Sequence, residues 1–174
     1  MDGYVLCKNS RIVKVGEYSA EKGREIVDNC GDNLTILGEE HGRYKSGDPI
    51  PRIKGIILPG FVKAHGHDHE TPLIGMAKDT TLTEWLDRAV NAFTEFLLMK
   101  EKELQDIFKQ NPYLIMYLKA RLDNIQFGIT SDMVHHCNFP KYHVPELVEA
   151  NRIAGTKMII AVGGSGQKLL QEGA

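Results

Sequence analysis

The chain has 174 residues, one domain's worth, of which 42% are hydrophobic and 25% charged, the make-up of an ordinary soluble globular protein. A net charge of −2 and a pI near 6.4 leave no basic footprint for nucleic acid or an anionic membrane surface. No apolar run approaches the roughly 18 residues of a membrane span. Cys7, Cys30 and Cys137 are few, odd in number and far apart, and residues 1–4 begin no basic-then-apolar leader, so a reduced, cytoplasmic protein is expected.

Residues 1–55 read as a small β-rich segment. Residues 4–7 and 11–15 flank Lys8, Asn9 and Ser10 as a hairpin, and short strands at 25–27 and 34–37 follow. Residues 38–51, punctuated by Gly42, Gly47, Pro49 and Pro51, read as loop.

The stretch 56–70, IILPGFVKAHGHDHE, is the most informative in the chain. An apolar run passes Pro59 and Gly60 and delivers His65-Gly66-His67 at its end. In a strand, residues i and i+2 share a face, so His65 and His67 project side by side. Two imidazoles so placed are half of a divalent-metal site, and their softness suits zinc best. The plainer alternative is chance, two solvated loop residues in a chain with seven histidines.

Beyond them, Thr81-Leu82-Thr83-Glu84 has the form of a capping box. Leu82, Trp85, Leu86, Ala89, Val90, Phe93, Phe96 and Leu97 then make an amphipathic helical stripe. Trp85 has two readings: an anchor of that stripe, the commoner service of an aromatic, or a wall of a ligand pocket. Residues 101–126 are helical again, restarting at Asn111-Pro112, with Leu114, Tyr117, Leu118, Leu122 and Ile125 on one face and Gly128 as terminator. A strand at 129–134 runs into His135-His136-Cys137. A helix opened by Pro145 and ended by Gly155 follows, then a strand at 157–162 and the loop Gly163-Gly164-Ser165-Gly166. Strands alternating with helices imply an α/β fold with a parallel sheet.

Residues 59–86, PGFVKAHGHDHETPLIGMAKDTTLTEWL, resemble the first barrel strand and following loop of the amidohydrolase superfamily. The likeness is greatest to the branch of cytosine deaminase-like, adenosylhomocysteine deaminase-like and chlorohydrolase-like enzymes. That branch reads approximately P-G-F-V-N-A-H-T-H, then T-L-L-R-G, an acidic residue and E-W-L. Pro59, Gly60, Phe61, Val62, Ala64, His65 and His67 fall in register with it, as do Leu73, Gly75, Asp79, Glu84, Trp85 and Leu86. Ile74 departs from it, standing where many relatives carry Arg, and Asp68-His69-Glu70 is unusually polar.

The resemblance implies the N-terminal part of a (β/α)8 TIM-like barrel over residues 56–174, its first three β/α units. A small β-sandwich segment over residues 1–55, completed by the C-terminal end of the chain, precedes it. Barrel catalysis occurs at the C-terminal strand ends, where His65, His67, His135, His136 and the glycine loop fall. The implied cofactor is zinc, with iron or manganese as alternatives, held in part by His65 and His67. Its water, made acidic, attacks an amidine-like carbon of a purine, pterin, pyrimidine or triazine, releasing ammonia or chloride. Trp85, His135 and His136 are expected near the substrate, and a homodimer is implied. In the resembled enzymes a further His and Asp ligand come from the fifth and eighth strands, and the catalytic Glu and another His from the fifth and sixth. Those positions are expected beyond Ala174, so the 174 residues are expected to be an inactive N-terminal portion of a longer enzyme.

Three other readings attach to particular residues. His135, His136 and Cys137 with His143 are either a second metal cluster or polar loop tips. Residues 162–168 stand where backbone amides cradle phosphate, which suits a phosphate- or nucleotide-binding α/β module without hydrolytic chemistry, though they match no phosphate-loop pattern; a folded, metal-free remnant serving as an interaction protein is a separate alternative. His41 and His69 read as surface residues, and Asp68 as an acceptor orienting a ligand imidazole, although strand alternation turns it from the His65 and His67 face.

Overall fold

Residues 2–37, 42–43, 55–136 and 143–163 are described by the computed structural model, in two units, Met1–Ile57 and Leu58–Ala174. In the first unit, β1 (Gly3–Lys8) and β2 (Arg11–Glu17) pair antiparallel. Asn9 and Ser10 turn the hairpin with φ of 51° and 61°, the pair of positive values that matches the twist of the flanking strands. Residues 25–27, expected as a strand, lie in helix α1 (Ala20–Cys30). The signal overlooked is Ser19, whose hydroxyl accepts the Lys22 N–H at 3.1 Å and nucleates the first turn. Only Thr35–Ile36 of the expected fourth strand forms (β3), pairing with β4 (Gly42–Arg43).

In the second unit β5 (Phe61–Gly66), β6 (Ile129–His136) and β7 (Lys157–Val162) form a parallel sheet in that order. The chain is thus mixed α/β. Among the described residues neither a closed barrel nor a β-sandwich is formed: the parallel sheet is open at three strands, and β1–β2 and β3–β4 are separate two-stranded sheets. Closing such a barrel takes eight strands.

Thr81 and Glu84 form the expected capping box, with Glu84 N–H to Thr81 Oγ1 at 3.4 Å and Thr81 N–H to Glu84 Oε2 at 3.0 Å. From it runs one continuous helical stretch, α2 (Leu82–Trp85), a π turn (Leu86–Asn91) and α3 (Ala92–Phe108). The wide turn presses Ala89 and Val90 onto Leu73. Asn111 restarts the chain as α4 (Pro112–Gln126), its side chain accepting from the Tyr113 and Leu114 amides. Pro145 sits in the first turn of α5 (Val144–Ala154), which ends on Gly155 at φ 70°.

The main core joins Leu97, Tyr113, Met116, Tyr117, Leu147 and Ala150 from the helices with Val134 of β6. The buried face of α4 is rotated from the expected one. It runs through Tyr113, Met116, Tyr117, Ala120, Arg121 and Asn124, while Leu122 is 58% exposed. Hydrophobicity misplaced this face because two of its inward residues are polar.

That geometry gives a paired expectation. Leu147→Ala, at a fully buried site, should cost about 2–5 kcal/mol, and Leu122→Ala less than about 0.5 kcal/mol, read as urea midpoints at constant slope.

Candidate metal centre and adjoining pocket

The ladder between β5 and β6 slips between Lys63 and Gly66. Lys63 pairs with Asp132 but Gly66 with Val134, so β5 holds one residue more than its partner. Such a bulge re-aims side chains. On β6, Asp132, Val134 and His136 alternate inward toward the helices, and His135 faces the other way. Lys63 reaches Asn124 and Asp132 on the helix side. The ring of His65, two residues on, stacks on His135 with centroids 4.0 Å apart, on the opposite side.

His67 lies one residue past the strand, at the head of a 3-10 turn (Asp68–Leu73). Its Nε2 stands 3.1 Å from His65 Nε2, and its Nδ1 is 2.8 Å from the His135 carbonyl oxygen. A carbonyl only accepts, so Nδ1 carries the proton and Nε2 presents its lone pair toward His65. Desolvation first, then the neighbouring His135 and His67 rings, holds the His65 imidazole below its ordinary range, which favours the neutral form that a metal takes.

These two residues fit a divalent metal as part of its ligand set. Two nitrogens on one tetrahedral zinc, each roughly 2.0–2.1 Å from it, stand about 3.3 Å apart, close to the observed spacing. The backbone acceptor on the far nitrogen of His67 is the usual support of a ligand imidazole. Among the described residues no group of three or more His, Cys, Asp and Glu side chains is arranged to hold an ion, so His65 and His67 stand as a pair.

Behind the pair lies a cluster of buried charge that the sequence reading missed. Arg121 of α4 donates from Nη1 and Nη2 to the two oxygens of Asp132, each at 2.7 Å, and from Nη2 to Asp68 Oδ2 as well. Asn124 donates to Asp132 at 3.0 Å and accepts from Lys63 Nζ at 3.0 Å. Arg121 and Asp68 are each 1% exposed and Asp132 5%. Burial pulls the guanidinium down, but Asp132 and Asp68 more than offset it, and Arg121 stays charged. Asp68 therefore serves Arg121, not an imidazole. The available signal was a charge of each sign at positions in phase with the core: Arg121 four residues after Tyr117, and Asp132 two before Val134.

A cavity of about 370 Å³ adjoins the pair, lined by His67, Glu70, Leu73, Ile74, Met76 and Trp85, with Thr71 and Gly75. Trp85 both lines it and packs against the Leu73–Ala89–Val90 cluster. His135 and His136 are not among the lining residues. His135 stacks on His65, and His136 is buried with its ring 6.0 Å from that of Tyr117. His143 stacks on Tyr113 and faces Glu146. Cys137, His41 and residues 164–168 lie outside the described residues.

The surface reading of His69 is corrected. It is 4% exposed, because the 3-10 turn that carries it packs against α4 and β6. Among the described residues neither ring nitrogen has a hydrogen-bond partner, Nε2 standing 3.6 Å from Glu70 Oε1, and burial first, then His136 and His67, holds its imidazole down to about 4, hence neutral. Burial raises the Glu70 carboxyl, against the pull of His67.

In this mixed α/β chain the paired imidazoles stand at and just past the end of a parallel strand, beside a cavity. No family model matches the chain. Over 87 residues it is 31% identical to a 5-methylthioadenosine/S-adenosylhomocysteine deaminase of Thermococcus sibiricus, a segment that is 49% of this chain and 20% of that protein. Over 86 residues it is 29% identical to a 5'-deoxyadenosine deaminase of Methanobrevibacter smithii, 49% of this chain and 19% of the other. The structure is similar to that of a mutant atrazine chlorohydrolase of Arthrobacter aurescens TC1 complexed with zinc and atraton, with a TM-score of 0.52. That match covers 91% of this chain and 30% of the other at 20% identity, and so speaks for the fold. These likenesses are at low identity, and the matched stretches are about a fifth of the two deaminases' length.

The ion cluster sets a stability test. Asp132→Ala strands a buried guanidinium and should cost about 3–5 kcal/mol. Glu149→Ala, which breaks the exposed pair with Arg152, should leave the denaturation midpoint unchanged.

Proposed function

We propose that this chain carries the first two ligands of a metal-dependent hydrolase of the deaminase or chlorohydrolase branch, acting on a small nitrogenous heterocycle. The observation that carries the reading is the approach of His65 and His67 Nε2 to 3.1 Å, with the far nitrogen of His67 engaged by a backbone carbonyl. Zinc is the metal these donors suit best, and iron or manganese would find the same nitrogens acceptable. When bound, such an ion supplies a water acidic enough to act as nucleophile near neutral pH.

The chain's own residues do the rest of what can be assigned. His65 and His67 present neutral imidazoles. Trp85, Leu73, Ile74 and Met76 offer apolar walls to a flat ring, and the Glu70 carboxyl offers an acceptor for a ring or exocyclic N–H at its edge. His135 backs the His65 ring by stacking. The relatives named above take adenosine derivatives, which makes an adenine nucleoside the first substrate to try. Residues 56–174 serve in this reading as the first β/α units of the barrel, in a cytoplasmic enzyme. The remaining ligands and the proton-shuttling carboxylate are supplied by none of the described residues.

The test is zinc retention after equilibrium dialysis, with ammonia release from 5'-deoxyadenosine and 5-methylthioadenosine as the second readout. The wild-type chain should hold zinc at least about tenfold more tightly than His65→Ala or His67→Ala, and either variant should abolish any turnover. Equal zinc retention by the doubly substituted chain would sink the reading.

A further inference from the structure

We infer that the buried Asp68–Arg121–Asp132 cluster is a positioning device for His67, with Arg121 as the positioning residue. Through one guanidinium it fastens the turn after β5 to β6, in the register at which the His67 ring meets the His135 carbonyl. The metal-binding consequence rests on the function proposed above. The positioning itself does not.

Between Lys63 and Gly66 the β5–β6 pairing slips by a residue, so regular strand hydrogen bonds do not fix the chain that carries His65. The cluster spans that gap. Lys63 and Asp132 are register partners before the slip, and Asp68 follows His67 directly after it. Asp132 stands three residues before His135 on the same strand. Arg121 thus ties the residue beside one imidazole to the strand that supplies the acceptor for it.

The tolerance is small. A slip of one residue along a strand is about 3.3 Å, enough to carry the His67 Nδ1 away from the carbonyl it now meets at 2.8 Å. A planar fork donating to both oxygens of Asp132 fixes orientation as well as distance, which a lysine ammonium cannot. Gly66 serves the same arrangement. A Cβ there would stand 2.6 Å from Lys63 Cε, across the path by which Lys63 reaches Asn124. Finally, well-packed apolar side chains in place of such a buried cluster are commonly as stabilising or more so, and what they lack is directional hold.

The experiment reads the tautomer of His67 in the metal-free full chain, by long-range 1H–15N correlation near pH 8.5, where an ordinary imidazole is neutral. Wild type should show the Nδ1–H form. Arg121→Lys and Asp68→Asn should shift His67 to a mixture with Nε2–H, while Leu147→Ala, a core lesion elsewhere, should leave the tautomer unchanged. Asp68→Asn keeps the shape of the side chain and carries the test if Arg121→Lys does not fold. Zinc affinity on the same samples should fall roughly 10- to 100-fold in the two cluster variants. An unchanged His67 tautomer in folded Arg121→Lys or Asp68→Asn overturns the inference, whatever zinc does. A wild-type chain that takes up no zinc but shows the Arg121-dependent tautomer overturns the proposed function and leaves the positioning role standing.

Discussion

One guanidinium holds together the part of the molecule that matters for chemistry. Arg121 enters from α4, meets Asp132 of β6 through two bonds and Asp68 of the turn after β5 through a third, and does so out of reach of water. Removing three charges from solvent is expensive, and their mutual attraction repays it only with good geometry and complete hydrogen bonding. Here Lys63 and Asn124 supply further contacts, so two acids face two cations, while Arg121 Nε is buried without a hydrogen-bond partner among the described residues. Together with the packing of Leu73 on Ala89 and Val90, that balance holds down the first turn after β5, which also carries the buried His69.

The bulge in β5 and this cluster are two halves of one solution. A regular strand would leave Lys63 and His65 on the same face. The ion cluster needs Lys63 on the helix side, and pairing with His67 beside His135 needs His65 on the other. One extra residue in β5 reconciles the two demands. Lys63 and Gly66 stand where the resembled pattern reads Asn and Thr, and they depart from it together. A Cβ at Gly66 would crowd the far end of the Lys63 side chain where it now lies.

What the sequence disclosed and what it withheld divide along physical lines. The helix starts at Thr81 and Asn111, the stop at Gly155 and the three parallel strands were legible, because capping, left-handed termination and apolar alternation are local signals. The His65 and His67 side chains converge as strand spacing suggests, although through a bulge and a turn, not through two residues of a flat strand. Helix α1 was hidden by Ile26 and Val27, β-branched residues that read as strand until the Ser19 cap is weighed. The inward face of α4 was hidden for a deeper reason. Arg121 and Asn124 are polar, and no local rule says that a charged residue will be buried. Only the partner acids, eleven residues later in Asp132 and fifty-three earlier in Asp68, make it so.

The cavity connects these structural demands to specificity. His67 belongs to both the imidazole pair and the cavity wall, so a ligand resting against Trp85 comes directly beside the place where the two nitrogens converge. Ile74, also in that wall, stands where the resembled pattern reads Arg. A guanidinium there would favour an anionic ligand and would need a partner of its own. Isoleucine leaves that side apolar, and among the described residues the ionisable side chains on the lining are His67 and Glu70. Burial raises the Glu70 carboxyl against the pull of His67, and its oxygens stand on the lining as acceptors for an N–H.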